Sequence, residues 1–274
     1  MKRAWRRIGS LLSRLPRAAW TAISLTLVLV LWQIGHNAYG SLLLPSPSET
    51  FAALWQITIE GQLAPAVIAT ARNALGGFAA AVLIGTSLGA LAGASPILRH
   101  LLQPIATLML GVPAIAWVVL SLLWFGGTAS AVAFTVMISS APILFSGAAE
   151  GVRTVDGALK RMALAFRVPR HVVVLDVYLP HLLSYLFPPL ATALALSWKV
   201  AVMTELLSGA GGIGDGLATA RAQVDTIKAM AWIAAVVIVL LALEQLVLEP
   251  IRHRFENWRR QLDRDSDPDW RVLT

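Results

Sequence analysis

Two ionisable residues lie in an apolar stretch, SWKVAVMTELL, that begins at Ser197. Lys199 and Glu205 are six positions apart, which places their side chains about 240° apart around an α-helix. Because that spacing excludes a direct i,i+4 ion pair, each group needs its own partner or its own water. If the stretch crosses a membrane, a charge at its centre costs at least about 2.5–3.5 kcal/mol. We therefore expect both side chains to face a polar interior.

The chemistry open to these groups is binding rather than catalysis. Lys199 either lines a path for an anion or bends toward the outer surface along its alkyl stem. Glu205 is either a gate group or a solvated or capped carboxylate. Trp198 points about 100° away from Lys199, which favours packing over contact with a ligand. No nucleophile has an adjacent base and the five histidines are scattered, so we expect no catalytic residue, no metal site and no cofactor.

The composition indicates a membrane protein. Hydrophobic residues make up 57% of the 274 positions and charged residues 14%, against about 25% charged in soluble domains. The absence of cysteine excludes disulfides and thiolate metal sites. The net charge of +7 comes from basic residues that flank apolar runs, not from a stripe interleaved with aromatics, so no nucleic-acid partner is expected.

Six segments reach the roughly 20 apolar residues that cross a bilayer, and they predict an all-α polytopic protein. The third contains Pro104 and Pro113, which a helix bundle tolerates when neighbours satisfy the freed carbonyls. The first is long and lacks a cleavage site, so we interpret it as an anchor rather than a signal peptide. The segments are Ala18–Ala38, Ala64–Ala94, Leu101–Phe125, Ala129–Ala149, Leu182–Leu207 and Ile227–Leu248.

The distribution of lysine and arginine predicts the orientation. The amino-terminal arm, the loop after the fourth span and the carboxyl-terminal tail carry most of these basic residues, chiefly arginine, whereas the segment Tyr39–Leu63 has neither. Both termini are therefore expected in the cytoplasm. The predicted organisation is a basic cytoplasmic arm over 1–17, a transmembrane domain over 18–250 with a cytoplasmic loop at 150–180, and a cytoplasmic tail over 251–274. Within that tail, Asp263–Thr274 is acidic and interrupted by proline, and we expect it to be disordered.

The loop at 150–180 is longer than a connection requires. Helical spacing of apolar residues up to Phe166, a break at Pro169 and a second apolar run ending at Pro180 predict two short helices joined by a bend. Such a bend would give a soluble partner a surface to bind. The alternative is an interfacial helix lying on anionic membrane lipid.

This loop resembles the EAA loop of binding-protein-dependent ABC importer permeases, whose pattern is E-A-A-x3-G-x9-I-x-L-P. Ala163, Leu179 and Pro180 match, and Val177 replaces isoleucine conservatively. Arg161 and Arg167 stand where the family has glutamate and glycine. Arg167 suggests either that a tight turn is not required at this position or that a carboxylate of the ATPase faces it.

Three further segments are similar to the nitrate/sulfonate/taurine branch of these permeases. LLLPSPSET, from Leu42, resembles its L-P-S-P entry segment, and GVPAIAWVVLSLLWFG, from Gly111, resembles its A-W…L-W-F-G stretch. SWKVAVMTELLSGAGGIG, from Ser197, resembles its W…A-E…G-x-G segment. The resemblances lie in the same order as in that branch.

The resemblance implies a MetI-like permease fold with six transmembrane helices in a bacterial inner membrane. It implies a permease homodimer, two cytoplasmic ATP-binding subunits docked on the loop, and a periplasmic or lipid-anchored substrate-binding protein. The cargo expected for this branch is nitrate, a sulfonate or taurine, although relatives import pyrimidine or flavin precursors. The implied ATPase-coupling residues are Arg161, Met162, Ala163, Phe166, Arg167, Val168 and Pro169, and the path candidates are Lys199, Glu205, Trp198 and Trp117.

Glycines form two further patterns. Gly85, Gly89 and Gly93 recur every fourth residue, which favours close helix packing within one protomer over a dimer seam. Gly209, Gly211 and Gly214 satisfy G-x-G-x-x-G but follow a membrane span instead of a strand, so we expect a flexible turn and not a phosphate site. The sequence has no G-x-x-x-x-G-K-[ST] motif, which places ATP hydrolysis on another subunit.

Transport without ATP remains an alternative. A self-sufficient channel or secondary transporter would leave the long basic loop unexplained, and the six spans show no evident inverted repeat. A membrane scaffold or receptor subunit is the third function class.

Overall fold

The computed structural model describes residues 17–249, in which all regular secondary structure is helical. The predicted basic arm before residue 17 and the predicted tail over 251–274 lie outside these residues. The eleven α-helices within 17–249 are α1 (Arg17–Tyr39), α2 (Pro47–Ile59), α3 (Leu63–Ala94), α4 (Pro96–Gly111), α5 (Ala114–Phe125), α6 (Ala129–Arg153), α7 (Gly157–Ala165), α8 (Arg170–Val173), α9 (Leu179–Ser208), α10 (Ile213–Ala222) and α11 (Thr226–Leu243). A π-turn at Val174–Tyr178 joins α8 to α9, and a second at Glu244–Leu248 extends α11.

Four stretches of helix are long and apolar enough to cross a membrane. They contain α3, α6, α9 and α11, which correspond to the second, fourth, fifth and sixth predicted spans. A fifth is counted if the bent pair α4–α5 is one span. Helix α1 matches the position of the first predicted span, and the total of six stays a prediction.

The third predicted span is broken. Helices α4 and α5 meet at 96° around Val112 and Pro113. Proline has no N–H to donate, and its ring pushes the preceding residue toward extended backbone; Val112 has φ −79° and ψ 125°. Pro104, in contrast, stays inside α4. The expectation of one continuous helix is therefore wrong at Pro113 and right at Pro104.

The core is built on close contact between α3 and α6. A Cβ added to Gly85 would lie 2.5 Å from the carbonyl oxygen of Ala141, and one added to Gly93 would lie 2.6 Å from that of Ala149. Gly89 meets Phe145 in the same way. The prediction that this stripe packs within one protomer is confirmed.

Helix α9 packs against both α6 and α3 and completes the frame that positions the site. Near the middle of both helices, the buried Oγ atoms of Ser140 and Ser197 are 3.1 Å apart. Toward the start of α9, a Cβ on Gly151 of α6 would contact Tyr185 and Leu182. Because α9 is held along this length, the rotation of α9 about its axis decides which side chains are buried.

Candidate translocation and coupling sites

The carboxylate of Glu205 is buried near the carboxyl-terminal end of α9 and accepts three hydrogen bonds. The hydroxyl of Thr70 donates to Oε2 at 2.7 Å, the amide of Asn73 donates to Oε1 at 3.1 Å, and the Gly214 N–H donates to Oε2 at 3.3 Å. Thr70 also accepts the N–H of Ile213 at 2.9 Å. We call these four partners and Glu205 the carboxylate clamp. It joins α3, α9 and the start of α10.

Glycines let the backbone approach this carboxylate. Gly209 caps α9 in the left-handed conformation at φ 66°, and Gly212 has φ 95°. A Cβ on Gly214 would lie 2.6 Å from Cβ of Glu205, and one on Gly212 would overlap its carboxylate. The G-x-G-x-x-G segment is thus a turn, as expected, but a closely packed one that holds the amides of Ile213 and Gly214 toward the clamp.

Lys199 is exposed on the face of α9 opposite its buried side. The same face presents Pro188 and Thr192, which are also exposed. By contrast, α11 exposes large apolar side chains along its length, at Ile233, Val237, Ile238 and Leu241, and its exposed lysine, Lys228, lies in the first turn. The exposed face of α9 is therefore more polar than contact with lipid alone would require.

The two tryptophans predicted near the path are less accessible. Trp198 is 5% exposed and belongs to the main apolar core, and its indole Nε1 has no hydrogen-bond partner among residues 17–249. Nε1 of Trp117 is also buried and unpartnered within that range. Of the four path candidates, the structure places Lys199 at the protomer surface, Glu205 and Trp198 inside it, and Trp117 part-buried.

The loop at 150–180, which holds the candidate coupling residues, contains the predicted pair of short helices. Helix α7 ends at Ala165, and Arg167 follows in the left-handed conformation with φ 51°. The Val168 N–H donates to the carbonyl of Ala163 at 2.9 Å, which is the six-to-one bond of a Schellman motif. Arg167 occupies the position where such motifs favour glycine. The suggestion that arginine at this position indicates the absence of a tight turn is wrong, because the turn is present.

The loop has an outer and an inner apolar side. Phe166 is 77% exposed and Met162 is also exposed, whereas Ala163 is 8% exposed. Ala163 and Val168 line an apolar groove of about 900 Å³ between the loop and the carboxyl-terminal part of α3. The candidate coupling residues are therefore divided: Phe166, Met162 and the exposed Arg161, Arg167 and Pro169 face outward, and Ala163 packs inward.

Sequence reasoning missed Thr70 and Asn73. They are buried polar residues three positions apart on α3, so both face Glu205. The available signal was a pair of hydrogen-bonding side chains at i,i+3 in an otherwise apolar span. Such a pair requires a partner, but its identity could not be read from a residue 132 positions away in the chain.

The chain matches a known protein family over most of its helical region. The family described as "Binding-protein-dependent transport system inner membrane component" matches residues 81–248. The riboflavin transport system permease protein RibX of Chloroflexus aurantiacus is 32% identical over 260 residues, covering 91% of this chain and 96% of the relative.

Other similar permeases are named for different solutes. The bicarbonate transport system permease protein CmpB of Synechococcus elongatus is 30% identical, with 77% of this chain and 81% of the relative covered. The taurine transport system permease protein TauC of Escherichia coli is 28% identical, with 89% and 86% covered. A solved structure of an amino acid ABC transporter with histidines has a TM-score of 0.56 at 15% identity, covers 76% of this chain and 97% of its own, and supports the fold alone.

Proposed function

We propose that this chain, which belongs to the family of binding-protein-dependent transport system inner membrane components, moves a small anion through a path lined by Lys199. The family establishes the coarser role: the chain is the permease subunit of an ABC importer, working with an ATP-binding subunit and a substrate-binding protein. ATP hydrolysis belongs to the separate subunit. The cargo, the path residues and the stoichiometry are our proposal.

The exposed position of Lys199 is the observation that supports an anion. Lys199 lies nine residues before the end of α9, or about 13 Å along the axis. A cation at that depth is costly in lipid and tends to face a bundle interior or a water-filled cavity. In a permease homodimer, the outer faces of two α9 helices would supply two ammonium groups to a path between the protomers. An anion such as nitrate, bicarbonate or a sulfonate would complement them.

The coupling role is proposed for the outward side of the loop. Phe166 and Met162 offer an exposed apolar surface with Arg161 and Arg167 beside it. Two such loops in a homodimer would bind one ATP-binding subunit each. This arrangement requires the loop and both termini to be cytoplasmic, as the lysine and arginine distribution predicts.

A second candidate cargo is a flavin. The relative at 32% identity is named for riboflavin transport, and riboflavin carries no fixed charge to match Lys199. The two cargo classes therefore differ in how uptake should depend on the lysine.

The test is uptake into proteoliposomes by the permease with its cognate ATP-binding subunit and binding protein. Nitrate, bicarbonate, taurine and riboflavin are each offered with and without ATP. Lys199→Met should lower uptake of the anionic cargo at equal protein level, and Lys199→Arg, which keeps the charge, should retain most of it.

Three outcomes would contradict the proposal. Unchanged uptake by Lys199→Met would place the lysine outside the path. Riboflavin uptake that is insensitive to Lys199→Met would favour the flavin reading. Uptake without ATP or binding protein would favour a self-sufficient channel or secondary transporter.

A further inference from the structure

A second basic site lies between α4 and α6, and its lining shares no residue with α9 or with the exposed coupling candidates Met162 and Phe166. The first turns of α4 and the last turns of α6 enclose an open cavity of about 480 Å³, within the range of ligand pockets. The polar and charged residues that line it are Arg99, His100, Gln103, Ser146, Glu150 and Arg153. Both helix ends are on the side that the charge distribution assigns to the cytoplasm.

The charges in this cavity do not cancel. Arg153 binds Glu150 through two hydrogen bonds, from Nη2 to Oε1 at 2.6 Å and from Nε to Oε2 at 2.9 Å. The other contact ion pair among residues 17–249 joins Lys228 to Asp225. Arg99 makes no such contact pair within that range, although its charge also acts on Glu150. One acidic group thus faces two guanidinium groups. The hydroxyl of Ser146 and the amide of Gln103 add neutral donors.

Such a set of donors suits a phosphate-type oxyanion. Guanidinium groups bind phosphate through parallel N–H bonds, and a second cation from another helix fixes the position of the oxyanion. The surroundings favour a phosphate attached to lipid. Ile97 is 81% exposed and Leu101 is also exposed on α4, so apolar side chains flank the basic cavity and can contact acyl chains.

We propose that this cavity binds the phosphate of an anionic phospholipid head group in the cytoplasmic leaflet. Basic pockets between membrane helices on this side bind such head groups. A bound lipid would bridge α4 and α6 across the broken third span, where the 96° bend leaves α4 as a separate segment. The site is independent of the cargo, because it shares no residue with α9.

The experiment uses the full chain in mixed micelles, with phosphatidylglycerol and phosphatidylcholine as matched lipids and inorganic phosphate as the free anion. Bound lipid is counted by native mass spectrometry and affinity is measured by titrated thermal shift. Arg99→Gln should weaken phosphatidylglycerol binding about fivefold, the factor for one lost cation at a membrane surface. Glu150→Gln should strengthen it by a similar factor, because it frees Arg153 and removes a repulsive charge.

Arg72→Gln on α3 is the matched control, since it removes one exposed charge outside the cavity and should leave binding unchanged. A selective phosphatidylglycerol adduct that responds in opposite directions to Arg99→Gln and Glu150→Gln supports the proposal. Inorganic phosphate that binds equally well and displaces the lipid would identify a free oxyanion as the ligand and overturn the lipid assignment. Equal binding of both lipids, or no effect of Arg99→Gln, would overturn the site.

Discussion

Replacing Glu205 tests whether the carboxylate clamp stabilises the junction of α3, α9 and α10 in the permease. Glu205→Ala leaves the three donors from Thr70, Asn73 and Gly214 without their acceptor. A buried donor that loses its partner costs about 1–3 kcal/mol, so three such losses sum to at least about 3 kcal/mol. Hydrogen bonds between membrane helices average nearer about 0.6 kcal/mol each. On that scale the three losses sum to about 2 kcal/mol, which is the lower bound for the expected cost.

Glu205→Gln should cost much less. All three partners donate, so the amide oxygen of glutamine can accept from Thr70 and Gly214 while its NH₂ faces Asn73. The Asn73 amide can turn over and present its oxygen. What is lost is the charge assistance and the attraction between a carboxylate and the first turn of α10, together about 1 kcal/mol.

The assay is unfolding in dodecyl sulfate mixed micelles, followed by tryptophan fluorescence. Thr70→Val is the matched control, because it is nearly isosteric and removes both the donor to Glu205 and the acceptor for the Ile213 N–H. Glu205→Ala should be at least about 1 kcal/mol less stable than Glu205→Gln, and Thr70→Val combined with Glu205→Ala should cost less than the sum of the two. Equal destabilisation by Ala and Gln would refute the acceptor argument. A stable Glu205→Gln variant that loses transport would instead assign Glu205 to the gate.

Four further predictions concern the loop at 150–180, the turn before α10 and the start of α2. Arg167→Gly should stabilise the loop at 150–180 by about 1 kcal/mol, because glycine has no Cβ to disfavour the left-handed conformation. Arg167→Ala loses the same charge but keeps the Cβ, so it should not stabilise the loop. Equal thermal midpoints for the two variants would contradict this prediction. Phe166→Asp should reduce coupled ATP hydrolysis and co-purification of the ATP-binding subunit without unfolding the permease. Ala163→Asp should instead destabilise the loop itself, because that side chain is buried. The reverse pattern would mean that Ala163, and not Phe166, contacts the ATP-binding subunit. Gly214→Ala should destabilise the junction of α3, α9 and α10, since the added methyl would contact Cβ of Glu205, and wild-type unfolding would argue against the close approach. Hydrogen bonds from the Ser46 N–H and, second, the Ser46 hydroxyl lower the pKa of Glu49. This capping box therefore stabilises α2 at pH values above the unfolded pKa of Glu49, and the contribution is lost as the pH falls through its folded pKa. Hydrogen exchange at the start of α2 should differ between wild type and Glu49→Gln near neutral pH and become equal in acid.

The spans could be predicted because crossing lipid is a local demand on composition. An uncharged run of about 20 apolar residues is sufficient to indicate a helix, and the start of α3 and the end of α9 lie within a few residues of the expected bounds. The break at Pro113 could not be predicted in this way. Pro104 has the same local signature yet remains helical, and neighbouring segments decide whether the freed carbonyls are satisfied.

The carboxylate clamp, unlike the spans, could be predicted only in part from the sequence. The sequence indicates that Glu205 needs a partner, and a solvated or capped carboxylate is one of the two roles that it allows. Its donors come from α3, however, 132 and 135 positions away, and a single sequence contains no record of that contact. Arg167 was misleading for a related reason: the hydrogen bond from Val168 to Ala163 imposes the turn, so the conformation does not depend on glycine being present.

The spacing of Lys199 and Glu205 links the clamp to the proposed path. Six residues turn a helix by about 600°, so the two side chains lie about 120° apart by the shorter way around. Once the clamp holds Glu205 against α3, the rotation of α9 is fixed and Lys199 must point to the exposed face. Loosening the clamp should therefore affect anion transport through Lys199 without any direct contact between Glu205 and cargo. On this argument, Glu205→Ala in the Lys199→Met background should lower anion uptake little further, whereas a gate role for Glu205 predicts a second, independent loss in the same proteoliposome assay.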